Sequence, residues 1–425
     1  MSRRLRTQVR ASGADVRFVR RLYWWAFIVR AGVGVLAYVL TEYADIPLLQ
    51  DALYYEAQGY DIAREWLSGR SSDWLDTAMY GGREAWLIVV VVAIFYFVLQ
   101  GVRATVVLIV GYGAAGAIVP VYTYRIAIQL GASEMVARKA AWLVALSPAF
   151  VFWSGALYKE GLILLILNLS VYHVLRLQTQ WQGRSLVMVV LLTFALLGLR
   201  FYLAIMMSVV ILAALLWRRR SRRPPDGARV AVPVPVLIRQ GLIALGFVAL
   251  MISLGFTERA ERPLLETDKG ILVQLDRSRR DLATRADSGY LAEVEVSEPG
   301  DAVRLLPVGL VYFLTVPLPW QAGGFRQTLA IPETGFWILL YPLILVGVGR
   351  GLRANRPGTL LILAVTSGMC GIYAVLSGNV GIAYRMRTQV WLLWAPFAAW
   401  GWEAWQQKGS RRAAPQRRRE RLLKP

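Results

Sequence analysis

Long apolar runs separated by short basic clusters constrain this chain more than any other feature. Hydropathy marks candidate spans near 22–41, 86–101, 104–124, 140–157, 160–176, 185–199, 202–217, 238–255, 305–318, 335–349, 358–376 and 388–404. A helix crosses the hydrocarbon of a bilayer with about 20 apolar residues, because in lipid every backbone polar group must be satisfied within the segment. Of 425 residues, 56% are hydrophobic and only 18% charged, too few for a soluble protein of this length. The pattern predicts an all-α fold, a polytopic transmembrane helix bundle. A single Cys, Cys370, and a single His, His173, exclude a disulfide framework and any His- or Cys-rich metal site.

Charge placement sets the orientation. The net charge of +21 would suit a nucleic-acid binder if it were spread over one face, but the acidic residues gather in two segments, 42–85 and 256–304. The basic residues concentrate in "RRLRTQVR", "WRRRSRRPPDGAR", "GRGLRANRPG" and "GSRRAAPQRRRERLLKP", beside apolar spans. Short basic loops of this kind are cytoplasmic and meet anionic lipid. Nucleic acid is not expected as a partner; membrane lipids are. Twelve crossings would put the 218–229 cluster outside. The parity works if 86–101 lies on the outer surface or re-enters, and if "PVGLVYFLTVPLPW" does the same. About ten spanning helices remain, with both termini cytoplasmic in an inner or plasma membrane. The basic start shows no cleavage-site pattern after its first apolar run and reads as a tail before a retained helix. The expected organisation is a tail at 1–21, a transmembrane domain at 22–405 with external loops at 42–103 and 256–334, and a second tail at 406–425. The Pro233 and Pro235 stretch reads as a stiff cytoplasmic linker.

This parity turns Asp51, Lys159, Glu160, Arg200, Tyr202, Arg326, Asn379, Arg385 and Arg387 outward. Cations there run against the orientation rule and therefore need a purpose. In "PAFVFWSGALYKEGLILLILNLSVY" the Lys159–Glu160 pair interrupts a run in which each charge would cost about 2.5 to 3.5 kcal/mol at a bilayer centre. A structural ion pair explains it as well as a binding site does. "LLQDALYYEAQGYDIAREWLSG" has the spacing of an amphipathic interfacial helix, and Asp51 at its start is either an N-cap or a reactive carboxylate. "LLGLRFYLAIMM" sets Arg200 at a turn, as a helix anchor or an anion ligand. "LSGNVGIAYRMRTQVWLLW" puts Arg385 and Arg387 at the mouth of the last helix. Arg30, inside the first span, could snorkel inward and is given no role. Together these residues suggest one carboxylate able to act as a base and several cations able to hold a phosphate.

At these residues the chain resembles the GT-C glycosyltransferases, in particular bacterial members related to glycosyltransferase family 39. "SPAFVFWSGALYKEGLI" is similar to that group's helix ending in Ser-Pro, an aromatic-Ser turn and an acidic residue opening the next helix; "DALYYEAQGYDIA" is similar to its first external loop. "LRFYLA", "GNVGIAYRMRTQV" and "VPLPW" resemble segments of polysaccharide-associated members, and the likeness covers most of 20–405 in order. The resemblance implies transfer of a sugar from a polyprenyl phosphate to an acceptor on the outer face. Asp51 would be the general base. Lys159, Arg200, Arg385 and Arg387 would bind the phosphate, and Glu160, Tyr55, Tyr202 and Asn379 would contact substrate. Fixed cations suffice for a leaving group with one phosphate, so no cofactor is expected, with a carboxylate-bound divalent ion as the alternative. The acidic pair of many members is absent around Asp51, where Ala52 and Leu53 follow, and no counterpart of the soluble C-terminal domain of larger members is expected. That favours a glycan or lipid acceptor over a protein. Two other functions compete: a polysaccharide polymerase or ligase relying on Arg277, Arg279, Arg280 and Arg285, and a non-enzymatic transporter or scaffold.

Overall fold

The computed structural model describes residues 3–73, 85–179, 182–216, 246, 270–284, 288–321 and 324–422. The span expected at 238–255, the 218–229 basic cluster and the linker at Pro233 lie outside these residues. Regular structure among the described residues is helical, apart from one antiparallel bridge between Gly289 and Asn379. The helices are α1 (Arg3–Tyr43), α2 (Gln50–Leu67), α3 (Trp86–Val98), α4 (Thr105–Gly116), α5 (Ile118–Gln129), α6 (Glu134–Leu146), α7 (Pro148–Gly155) and α8 (Lys159–Thr179). They continue with α9 (Gly183–Leu197), α10 (Phe201–Leu216), α11 (Gly270–Thr284), α12 (Pro299–Thr315), α13 (Phe325–Ala354), α14 (Arg356–Leu376) and α15 (Val380–Leu422).

Among the described residues, five helical segments are long and apolar enough to cross a membrane: Asp15–Tyr43, Thr105–Gln129, Lys159–Thr179, Gln327–Ala354 and Arg356–Leu376. A sixth is the pair α6 and α7, if that bent element is one span. The 13 residues of α3 reach only about 20 Å, too short to cross alone, and this helix packs on α2. Of the 305–318 run, expected as a re-entrant or surface element, residues 305–315 belong to the 17-residue helix α12. Polarity is distributed as lipid requires. Leu339 and Leu345 are 76% and 73% exposed, while Arg30, Glu160, Arg200 and Arg387 are at most 2% exposed. Charged side chains are almost never that deeply buried in soluble folds unless paired. On α1, exposed Trp24 and Trp25 lie about 27 Å from exposed Tyr43, the spacing of two membrane interfaces.

The apolar run expected as one span at 140–157 breaks at Ser147, where α6 and α7 meet at 60°. Pro148 explains the break. Its missing N–H leaves the carbonyl of Val144 without its helical donor. Arg30 repairs this: Nη2 donates to the Val144 carbonyl at 3.1 Å, Nη1 to Ala145 at 3.1 Å and Nε to Ser154 Oγ at 2.8 Å. Arg30 therefore does not snorkel and does have a role, since it is fully buried and serves as the acceptor-matching fork of the break. Gly155 allows the close approach, because a Cβ there would sit 2.6 Å from the Arg30 carbonyl oxygen. Arg30→Leu, which leaves two carbonyls unserved, should lower unfolding stability by about 3 kcal/mol. Arg30→Lys should restore only part of it, because one ammonium cannot reproduce the fork. Thermal unfolding in detergent measures both.

A second polar clamp fixes α2. Glu56 Oε1 accepts from Tyr96 at 2.6 Å, Arg103 Nε at 3.0 Å and Thr105 at 3.0 Å, and Oε2 accepts from Arg103 Nη2 at 2.6 Å. Burial by itself raises the carboxyl's pKa, but these donors, led by Arg103, outweigh burial and hold it below the usual carboxylate range. This clamp ties α2 to α3 and to the start of α4, so the face of α2 that carries Asp51 and Tyr55 has a fixed address.

Candidate functional site

The break and the clamp bring four chain segments to one end of the bundle. The α7–α8 turn presents Tyr158, Lys159 and Glu160; α2 presents Asp51 and Tyr55; the α9–α10 turn presents Arg200; α15 presents Arg385. Glu160 is the hub. It is 0% exposed, and its Oε1 meets Arg385 Nε at 2.6 Å and Arg200 Nη2 at 2.8 Å. Its Oε2 accepts no hydrogen bond among the described residues. Lys159 is buried beside it, within electrostatic reach of the carboxylate. Arg385 bridges outward, with Nη1 2.7 Å from Asp51 Oδ2. Buried at one end and wet at the other, the chain of charges runs from Glu160 to Asp51, whose side chain is 46% exposed.

Aromatic rings wall this cluster. The Arg385 guanidinium lies 5.4 Å from the ring centre of Tyr158 and 5.6 Å from that of Trp153, an arrangement that favours a cation. Tyr158 is itself held, since its hydroxyl donates to the Leu48 carbonyl at 2.5 Å and its carbonyl accepts from Tyr112. The Tyr112 hydroxyl also accepts the Leu162 N–H at 3.1 Å. Gly161 makes room for that hydroxyl, because a Cβ there would lie 2.7 Å from it. Tyr55 lies within electrostatic reach of Arg385, and burial pushes its hydroxyl well above the ordinary range, which keeps it protonated. Arg200 donates to the Tyr202 hydroxyl at 3.1 Å and contacts Met386.

The residues proposed from sequence for the reaction now have places. Asp51, Tyr55, Lys159, Glu160, Arg200, Tyr202 and Arg385 gather at this one end. Asp51 is not the N-cap of α2; Leu49 holds that position, and the carboxylate turns to Arg385 instead. Arg387 is elsewhere. Two residues along a helix are about 200° apart, so Arg385 and Arg387 point to different faces. Arg387 donates to the Val316 carbonyl and lies 5.1 Å over Trp391, fully buried. A phosphate shared by both arginines does not fit that placement. Asn379 caps α15: Oδ1 accepts the Ile382 N–H at 2.9 Å and Nδ2 donates to the Leu282 carbonyl at 3.1 Å, so its amide serves the backbone rather than a substrate. In the segment expected to be external, Arg279 and Arg280 are both held by Asp276, at 2.6 and 2.8 Å, while Arg285 lies outside the described residues.

Sequence reasoning passed over Tyr158, Trp153 and Glu333. Glu333 sits 6% exposed in α13, where it accepts from Ser147 and Tyr384 and, at 2.9 Å, from the Ala149 N–H. An acid inside an apolar helix, after Pro332, was the available signal. Among the described residues no cluster of three or more His, Cys, Asp or Glu could hold a metal ion. No protein-family model matches the chain, and no curated protein matches it.

Proposed function

We propose that the chain is a membrane glycosyltransferase that moves a sugar from a polyprenyl-phosphate donor to a hydroxyl of a glycan or lipid acceptor. About ten spanning helices, cytoplasmic termini and an extracytoplasmic site complete this reading. The observation that carries it is the buried Glu160 hub with its cations beside the half-exposed Asp51. Lys159, Arg200 and Arg385 oppose Asp51 and Glu160, three cations against two carboxylates, so one net positive charge remains. That balance matches the single negative charge of a sugar-phosphate diester and underserves the two of a pyrophosphate. It favours the transferase over the polymerase or ligase reading.

The chemistry follows from the geometry. An acceptor hydroxyl at Asp51 attacks the anomeric carbon while its proton passes to the carboxylate, and the bond from that carbon to the phosphate oxygen breaks. The electron pair leaves with the polyprenyl phosphate, whose charge grows from one to two. Arg385, Arg200 and Lys159 stabilise that growing charge in a site shielded from water, where fixed donors act most strongly. Arg385 touches both halves of the reaction, because it binds Asp51 and Glu160 at once. Glu160 positions the two arginines rather than reacting.

The test is reconstitution in lipid with a panel of radiolabelled polyprenyl-monophosphate sugars and polyprenyl-pyrophosphate oligosaccharides, with cell-envelope glycan and lipid fractions as acceptors. Transfer is expected from at least one monophosphate donor. Transfer from pyrophosphate donors alone would replace this reading with the polymerase or ligase, and no transfer from either class would favour the scaffold.

A further inference from the structure

At the opposite end of the bundle, α13 and α15 together line a groove of about 470 Å³ whose lining includes Leu345, Val346, Gly349, Arg350, Arg353 and Lys408. Its depth follows from helix geometry. Lys408 lies 23 residues beyond Arg385 on the same helix. At 1.5 Å per residue this is about 35 Å, slightly more than the roughly 30 Å of a hydrocarbon core. Trp402 and Trp405, 39% and 61% exposed, occupy the turns just before it, where interfacial aromatics belong. The groove therefore opens at headgroup level on the membrane face away from Glu160.

Its lining is divided by polarity along the same axis. Toward the membrane interior are Leu345 and Val346, 73% and 47% exposed. At the outer rim are three cations. Arg350 is committed to the protein, with Nη1 on Glu403 at 3.0 Å and Nη2 on Gln407 at 2.8 Å. Arg353 and Lys408 have no such partner among the described residues. Set against Glu403, the rim holds two positive charges in excess. We propose that this groove is a binding site for an anionic phospholipid, its phosphate on Arg353 and Lys408 and one acyl chain along Leu345 and Val346. Cationic rims between spanning helices recognise such headgroups by charge, while the apolar wall selects a lipid over a soluble phosphate. The inference is independent of the transfer reaction.

Native mass spectrometry of the full chain, released from nanodiscs of mixed phosphatidylglycerol and phosphatidylcholine, tests it. Phosphatidylglycerol should be retained in preference, and Arg353→Ala with Lys408→Ala should weaken its retention about tenfold or more. The tail variant Arg411→Ala with Arg412→Ala should leave retention unchanged. Gly349→Phe separates the seat from general charge. A Cβ at Gly349 meets no atom within 4 Å, and Gly349 lines the groove, so a side chain can start there without a clash at its first carbon. The ring should displace the lipid while the unfolding temperature holds. Equal retention in the Arg353 and Lys408 double variant, equal retention of phosphatidylcholine, or equal competition by inorganic phosphate would overturn the proposal.

Discussion

Asp51→Asn should lower sugar transfer by about 10²- to 10⁴-fold, the usual worth of a positioned general base, while leaving the fold intact. The side chain keeps its shape and can still accept a hydrogen bond from Arg385, and Asp51 is the most exposed member of the cluster. Its loss therefore removes proton acceptance without stranding a buried charge. The loss should fall on the rate of transfer more than on donor affinity, because the proposed mechanism assigns the donor's phosphate to Arg385, Arg200 and Lys159 and not to Asp51. Transfer measured with saturating donor, alongside donor binding and thermal unfolding, separates these outcomes. Unchanged transfer in Asp51→Asn would remove the assigned base.

Glu160→Leu should have the larger structural effect. The carboxylate is fully buried and neutralises two arginines at once, and breaking a buried pair by deleting one partner costs about 3 to 5 kcal/mol. Arg385 can fall back on Asp51, whereas Arg200, 2% exposed, loses its carboxylate. The double variant Glu160→Leu with Arg200→Leu should therefore recover a substantial part of the loss, since exchanging a whole buried pair for apolar residues is often neutral. Unfolding in detergent across the single and double variants measures the coupling. A double variant no more stable than Glu160→Leu would mean that Arg385, not Arg200, is the partner that matters. Transfer should be lost in both, because the cations proposed to hold the phosphate lose their spacing.

Some of this site was legible in the residues themselves. Cations expected on the side of the membrane that disfavours them demand an explanation, and that logic alone singled out Lys159, Arg200 and Arg385. Tyr55 and Tyr202 were reached through neighbouring motifs. The same logic misread Arg387, because a pair of arginines two positions apart looks like one site in a sequence and is two opposed faces on a helix. Arg30 was misread for a related reason. Its purpose is the backbone carbonyl of Val144, 114 residues away, and nothing in the local run points to it. Asn379 looked like a substrate contact and is a helix cap, a role decided by where α15 begins.

What the sequence determined by itself is the class of object: apolar lengths matched to a bilayer, helices as the form that satisfies their own backbone in lipid, and charges sorted by loop. Those are local or additive properties, so composition and spacing carry them. Tertiary structure alone decided that Glu160 takes Arg200 and Arg385 together, that Asp51 answers to Arg385 and not to its own helix, and that Arg30 mends the break at Pro148. A buried charge must find its counter-charge or acceptor wherever packing brings one near. Partners 40, 225 and 334 residues apart in the chain, at Arg200–Glu160, Arg385–Glu160 and Arg385–Asp51, become neighbours only when the helices are assembled.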